Sequence, residues 1–381
     1  MSSAISEVQF EPLKFSDDLG PLKVIHVHEP ITGLKATLVV DNVARGPSIG
    51  GVRMAPDVST EECFRLARAM TLKNAAADLP HGGGKAVLYG DPSMPKKEKE
   101  QLIRAMACSL AEVEQYIFAP DMGTDEECMG WVNDEIGRVV GLPKEVGGIP
   151  LDEIGATGWG LLNAIKIATE FQGWSLSGAR IAIQGFGAVG RHTARFLTDN
   201  GAILVAAADS GGTVTCADGL DVASLLAIKA SGGSVIDYER TAGVATANQD
   251  AIVDIPCDIW IPAARPDVIH ANNVDRLQAR MVVEAANIPI TLDAERRLHE
   301  KGVLCIPDFI ANAGGVICAA MEYQGANQVA AFQSIEDKLR HNVKTVLEQS
   351  ERNHCLPRQA AVQMAVTRVK KAMKLRRWHL F

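Results

Sequence analysis

Apolar and polar positions along this chain follow two periods, and the switches between them mark out its elements. Val24 to Val27 and Leu34 to Val40 are β-branched and apolar, are separated by Pro30 and Gly33, and read as paired strands. Ser59, followed three residues later by Glu62, is the start signal of a helix running to about Ala77. Pro95 opens a second helix, on which Leu102, Ile103, Met106, Leu110 and Val113 share one apolar face. Tyr116 to Ala119 reads as a further strand. The stretch from Leu142 to Pro150 carries paired glycines and two prolines and marks a boundary. Beyond it come a helix from about Thr157, a strand at Ile181 to Gln184, a glycine turn, a helix to about Asn200 and a strand at Ile203 to Ala208. That order is a βαβ unit, which implies a parallel sheet covered by helices. After Ala320 the pattern is helical, from Gln333 to Gln349 and from Pro357 to Arg376. The expected fold class is therefore α/β, with domains over 1–150 and 151–320 and C-terminal helices over 321–381.

Composition narrows the function classes. The 381 residues suit two to three domains at roughly 150 residues each. With 47% hydrophobic and 22% charged residues the chain is an ordinary globular protein, not a disordered one. Its longest nearly apolar run, Gly201 to Ala208, is far short of the ~20 residues that cross a bilayer. The N-terminus carries acids and no apolar core of a signal peptide, so a cytoplasmic location is expected. A net charge of -8 argues against nucleic-acid and anionic-membrane partners. The eight cysteines are scattered singly, so they read as reduced thiols, with no metal site. Cations between Lys370 and Arg377 complement a helix C-terminus, and Trp378 and Phe381 read as a subunit contact.

The first chemical signal is Gly185-Phe186-Gly187-Ala188-Val189-Gly190. It follows a strand, opens a helix, and is answered by Asp209, 24 residues after Gly185, at the end of the next strand. Gly185 makes the tight turn, Gly187 admits a pyrophosphate close to the backbone, and Gly190 lets the helix pack on the sheet. The helix N-terminus then receives the anion. Asp209 accepts hydrogen bonds from ribose hydroxyls, which favours NAD; Ser210 and Gly211 leave NADP open.

The second signal is a pair of lysines twelve residues apart, Lys73 and Lys85. Lys73 falls on the stripe of Leu66, Met70 and Ala77, where an ammonium needs an anion or a water-lined cleft. Lys85 follows Gly82-Gly83-Gly84, which leave room for a ligand. Burial beside a second cation is expected to make it a usable acid/base group. Asp121 stands at the carboxyl end of a strand, where α/β sites gather.

Together these residues resemble the glutamate/leucine/phenylalanine/valine dehydrogenase family. The resemblance is carried by Gly46 to Arg53, by MTLKNAAADLPHGGGKAV (Met70 to Val87), APDMGT (Ala119 to Thr124) and ATGWG (Ala156 to Gly160), and by the glycine turn. It continues through Glu284 to Asn287 and Pro307 to Val316, in the family's order. It implies NAD(P)-linked oxidative deamination of an L-amino acid to a 2-oxo acid and ammonia. By position, Lys73 would bind the α-carboxylate, Lys85 would activate water as a lysine of low pKa, and Asp121 would shuttle protons. Thr157 would meet the nicotinamide carboxamide, Asn287 the ribose side, and Asn312 substrate or nicotinamide; Ala264 joins the cofactor set. The first domain would hold substrate and oligomerisation surfaces, the second the dinucleotide, and the C-terminal helices would pack back towards the first. Hydride transfer requires the two domains to close over a cleft. Family members are oligomers, so a homo-oligomer is expected.

In glutamate dehydrogenases the residue before the Gly-Gly of the first motif is a lysine that grips the side-chain carboxylate, and a serine stands at the position of Ala319. Here the first position is Ile49, beside Gly50. An unpaired second carboxylate there would cost several kcal/mol. The expected pocket is therefore apolar, lined by Ile49, Ala119, Val316 and Ala319, for a branched-chain or aromatic amino acid. Glutamate dehydrogenase is the alternative, on the run Ala206 to Gly212 and on Ala217 to Asp221. A dinucleotide-binding sensor without catalysis is the alternative from another class, which Lys73, Lys85 and Asp121 argue against. A malic-type enzyme would need a carboxylate cluster for a metal, which the sequence lacks.

Overall fold

A computed structural model describes residues 14–239 and 242–376; Trp378 and Phe381 lie outside the described residues. The chain forms two compact units. One comprises the residues up to Thr71, Pro80–Arg138 and those from Val369 onward, and the other comprises Leu72–Leu79 and Val139–Arg368.

The first unit is a mixed five-stranded sheet with helices. Its strands are β1 (Lys23–Glu29), β2 (Leu34–Asn42), β3 (Ser48–Ala55), β4 (Gly82–Tyr89) and β5 (Tyr116–Pro120), in the spatial order β1-β2-β4-β3-β5. β1 and β2 form the expected antiparallel pair, whereas β3 runs parallel to both β4 and β5. The helices are α1 (Thr60–Ala76), α2 (Lys96–Ser109) and α3 (Glu126–Ile136). α1 starts where the serine signal places it, with the Glu62 amide donating to Ser59 Oγ at 3.1 Å. Val39, Val87, Val58, Cys63, Phe64 and Ala67 form a core between the sheet and α1. Leu102, Ile103 and Met106 are buried, so the apolar face read on α2 is its packing face, but the helix ends at Ser109, with Leu110 as its cap and Val113 beyond it.

α1 also shows a difference. Its buried side is Cys63, Phe64, Ala67, Thr71 and Asn74, while Leu66, Met70 and Lys73 are half-buried along the flank. The buried side lies one step from the stripe that the apolar pattern predicts, because a polar residue can face the core when its hydrogen bond is met there. Thr71 Oγ1 donates to the buried Asp41 carboxylate at 2.6 Å.

The second unit is doubly wound. It contains α4 (Leu151–Ile154), α5 (Ala156–Phe171), β6 (Arg180–Gln184), α6 (Ala188–Asp199), β7 (Ile203–Asp209), β8 (Gly212–Cys216), α7 (Val222–Ala230), β9 (Val244–Ala247) and β10 (Ile259–Pro262). It continues with β11 (Met281–Val283), α8 (Leu292–Glu300), β12 (Leu304–Ile306), α9 (Asp308–Ala311), α10 (Gly314–Tyr323), α11 (Gln328–Asn353) and α12 (Pro357–Leu375), whose last turns are counted with the first unit. The strand order is β12-β11-β10-β6-β7-β8-β9, with the first five parallel, β8 antiparallel to β7, and β9 antiparallel to β8. β6, α6 and β7 are the βαβ unit read from the sequence. Such a sheet, apolar on both faces, gathers its loops and any ligand at the strands' carboxyl ends. Among the described residues no helix is long and apolar enough to cross a membrane, and no group of three His, Cys, Asp or Glu is placed to hold a metal.

Candidate active site

Lys85 sits inside β4, 5% exposed, not on a loop. Its three preceding glycines belong to the same strand. A side chain on Gly82 would strike the Asn42 carbonyl oxygen at 1.7 Å, and one on Gly83 the Thr71 amide at 1.9 Å. These glycines therefore admit neighbouring backbone, not a ligand as the sequence suggested. Lys85 Nζ lies 2.8 Å from Asp121 Oδ2. Asp121 follows the carboxyl end of β5, where its amide donates to Thr124 Oγ1 and the Thr124 hydroxyl donates to the Val52 carbonyl.

Two residues that sequence reasoning missed complete this group. Arg53 on β3 donates from Nε to the same Asp121 oxygen at 2.9 Å and from Nη1 to Glu62 at 2.6 Å. Gly51 is the second. A Cβ there would stand 2.6 Å from Asp121 Cβ and 3.1 Å from Lys85 Nζ, so its bare backbone is what lets the pair meet. Both lie in the Gly46 to Arg53 stretch, which was the available signal. Burial pushes the Asp121 carboxyl up, but Lys85 and Arg53 more than offset it and hold it below the ordinary carboxylate range. Asp121 Oδ1 takes no hydrogen bond from the described residues. A half-exposed, ionised carboxylate with one oxygen open and a buried ammonium beside it can pass protons to and from a bound molecule.

Around this pair, Ile49 is buried on β3 between Gly83 and Ile117, Gly50 is covered by the Gly84 carbonyl, and Ala119 is half-buried on β5. Lys73 is in the last turn of α1. On α10, in the second unit, Val316 and Ala319 are three residues apart on one face, Val316 half-buried and Ala319 buried.

The second unit fits a dinucleotide. Gly185 has φ +100 and its amide donates to the Ala208 carbonyl, so the turn and the end of β7 share one edge. Ala264, exposed after β10, abuts Gly185. Gly190 packs its bare Cα against the Gly185 carbonyl, where a Cβ would come within 2.0 Å. Gly187 faces open space, with nothing within 4 Å of a built Cβ, and offers no side-chain cap to α6. The free amides that follow, at Ala188 and Val189, could hold a pyrophosphate; Phe186 is buried. Thr157 is in the first turn of α5, 3.2 Å from where a side chain on Gly315 would begin. Asn312 Nδ2 donates to Asn287 Oδ1 at 3.1 Å and to the Ala285 carbonyl, while its own buried Oδ1 has no partner among the described residues.

Asp209 is placed at the end of β7 as expected, but its lone pairs are taken. Oδ1 accepts from the Gly211 amide and Ser234 Oγ; Oδ2 accepts from Lys229 Nζ at 2.7 Å and the Val235 amide. Burial works against the ionised form, and these four donors outweigh it, so the carboxyl stays below its ordinary range. Lys229, in the last turn of α7, is a further residue the sequence reading missed, because nothing in its own surroundings ties it to Asp209. Ser210 is exposed beside them.

The chain matches two family models, one described as glutamate/leucine/phenylalanine/valine dehydrogenase over residues 147–377 and one as the Glu/Leu/Phe/Val dehydrogenase dimerisation domain over residues 21–138. It is 39% identical to a glutamate dehydrogenase of Aeropyrum pernix, over 88% of this chain and 85% of that one. It is 35% identical to an NADP-specific glutamate dehydrogenase of Saccharolobus shibatae, over 93% and 90%. Among solved structures it resembles the hetero-hexameric glutamate dehydrogenase of Thermus thermophilus in its leucine-bound form, with a TM-score of 0.81 and 29% identity, over 93% of this chain and 90% of that one. This chain therefore belongs to the glutamate/leucine/phenylalanine/valine dehydrogenase family, and it is an amino acid dehydrogenase whose cofactor is a nicotinamide dinucleotide, NAD or NADP.

Proposed function

We propose that this enzyme carries out the reversible oxidative deamination of L-glutamate to its 2-oxo acid and ammonia. The observation that carries the chemistry is the Lys85–Asp121 pair at 2.8 Å, with the second Asp121 oxygen open. The glutamate reading is supported by two relatives named glutamate dehydrogenase, at 39% and 35% identity over 85% and 90% of their lengths. The sequence alone puts an apolar substrate first and glutamate second; the names of these two relatives support the second.

In this reading Lys73 takes the substrate α-carboxylate. Asp121 Oδ1 accepts a proton from the α-ammonium, freeing the nitrogen lone pair. When bound, the dinucleotide supplies a nicotinamide that takes the hydride from Cα. Lys85, as the neutral amine, then accepts a proton from the water that attacks the iminium carbon and gives it up to solvent before the next turnover. Asp121 returns its proton to the nitrogen and takes the hydroxyl proton as the C–N bond breaks, releasing ammonia. The cofactor would be held by the α6 amides at the pyrophosphate, by Ser210 beside the occupied Asp209 at the ribose, and by Thr157, Asn287 and Asn312 towards the nicotinamide. We also place this chain in a homo-oligomer, on the dimerisation-domain match over residues 21–138.

A second reading rests on one observation. Ile49 is 3% exposed and aliphatic, at the position where the resemblance leads one to expect a lysine for the side-chain carboxylate. That favours an apolar amino acid. Reduced-cofactor formation, followed with NAD and with NADP across the L-amino acids, separates the two. Glutamate turned over well ahead of leucine, valine, phenylalanine and tryptophan supports the first reading; the reverse ranking supports the second.

A further inference from the structure

Arg358, in the first turn of α12, is surrounded by acids that belong to three other elements. Its Nε donates to Glu295 Oε2 on α8 at 2.6 Å, and its Nη1 to Asp308 Oδ1 at the start of α9 at 2.9 Å. Its Nη2 bridges both oxygens of Glu284, just past β11, at 2.8 and 2.7 Å. Glu284 and Glu295 have fully buried side chains, and Asp308 is 8% exposed. A planar guanidinium is the side chain that can hold three carboxyl groups in fixed directions at once.

What lies between those acids is the cofactor-side segment. Glu284 begins the stretch that ends at Asn287. The next residue, Ile288, is β-branched yet has φ +44, a left-handed conformation that costs on the order of 1–3 kcal/mol unless its surroundings impose it. Its amide donates to Asp308 Oδ2 at 2.9 Å, and its carbonyl accepts from the Asp267 amide. Asp308 thus takes Arg358 on one oxygen and Ile288 on the other. Asn312 stacks onto the same frame: its amide bonds back to the Asp308 carbonyl, and its side chain holds Asn287 and the Ala285 carbonyl.

We propose that Arg358 is a positioning residue for the cofactor: through Glu284 and Asp308 it holds both ends of the Glu284–Ile288 segment, and so presents Asn287 and Asn312. Arg358 itself touches neither substrate nor cofactor. This deepens the dinucleotide assignment and rests on it. The ion cluster alone would be read as structural; the strained Ile288, pinned by the acid that Arg358 holds, is what links it to function.

The test uses the full chain and NAD and NADP as probes, titrated calorimetrically without amino acid. Asp308→Asn keeps size but cannot accept from Arg358 and Ile288 together. It should raise the dissociation constant for the dinucleotide about tenfold and its KM likewise, with kcat at saturating cofactor and the KM for the amino acid little changed. Arg358→Lys, one point charge for three acids, should do the same. In the unmodified protein the Ile288 amide should exchange slowly with deuterium although the residue is 54% exposed; rapid exchange overturns the proposal whether or not the variants fold. Variants that melt earlier but bind dinucleotide as the parent does overturn it and leave the activity standing, whereas a parent that binds neither dinucleotide overturns both.

Discussion

Lys85 Nζ and Asp121 Oδ2 meet at 2.8 Å across Gly51, a residue of the strand that separates theirs. β3 lies between β4 and β5, so any side chain pointing from residue 51 would stand between ammonium and carboxylate. The pair is made by register as much as by residue type.

Gly51→Ala should therefore behave as an active-site lesion. Its methyl group would sit 2.6 Å from Asp121 Cβ and 2.8 Å from the Pro120 carbonyl, both of which must move. Displacing the pair by about 1 Å is expected to lower kcat by about 10²-fold. Steady-state kinetics with saturating cofactor checks this; an unchanged kcat would show that the pair's spacing is unimportant.

Removing either partner should act on chemistry rather than on cofactor binding. Lys85→Ala and Asp121→Asn are expected to lose on the order of 10²–10⁴ in kcat. Calorimetric titration should find the dinucleotide dissociation constant unchanged in both, and Asp121→Asn should melt at the parent's temperature. A loss of cofactor affinity would remove Lys85 from the chemical step.

Asp209 bears on cofactor choice. An acid at this place selects NAD when it has free oxygens for the ribose and a charge that repels a phosphate. Here four donors occupy it and Lys229 balances its charge. Lys229→Met should cost more affinity for NADP than for NAD, by roughly the tenfold that one charge-assisted contact supplies. Equal losses for both dinucleotides would show that Lys229 supports only the loop.

These cases show what the sequence could reveal. The β6–α6–β7 unit is legible because strand period, glycine spacing and a terminal acid coincide within 25 residues or so. Lys85 and Asp121 are legible by type and by strand end. Gly51 and Arg53 are not, because their roles depend on which strands become neighbours, and β3 pairs with β5 across more than sixty residues of chain. Lys73 is misread as core-facing because Thr71, once bonded to Asp41, can be buried in its place. Asp209 is legible by its place at the end of β7, but its partners are not, because they come from α7 and from Ser234 and Val235.

Stability should depend on pH through Glu284. Burial pushes its carboxyl up to about 8, and the negative charges of Asp308 and Glu295 add to the effect, against the pull of Arg358. The folded chain thus binds this proton more tightly than the unfolded chain, where the carboxyl has its ordinary value of 4.5. Its contribution is complete below about 4.5 and is lost as pH rises through about 8. The melting temperature should fall across that interval, and Glu284→Gln should flatten the fall; a parent and a variant with the same pH profile would contradict the assignment.

Side-chain selectivity should turn on residue 49. Ile49→Lys places an ammonium at a buried strand position flanked by Gly83 and Ile117. It should raise kcat/KM for glutamate relative to leucine by about tenfold or more, the scale of one buried charge pair. An unaltered ranking would mean that this position does not face the substrate side chain.

The central claim is that this chain oxidises an L-amino acid with a nicotinamide dinucleotide by way of Lys85 and Asp121. Its most direct test is reduced-cofactor formation from L-glutamate at alkaline pH by the parent and by Lys85→Ala, side by side. The account predicts steady formation with the parent, ammonia released in equal amount, and none above background with the variant. Equal rates in the two proteins, or no reduced cofactor from the parent with any L-amino acid, would contradict it.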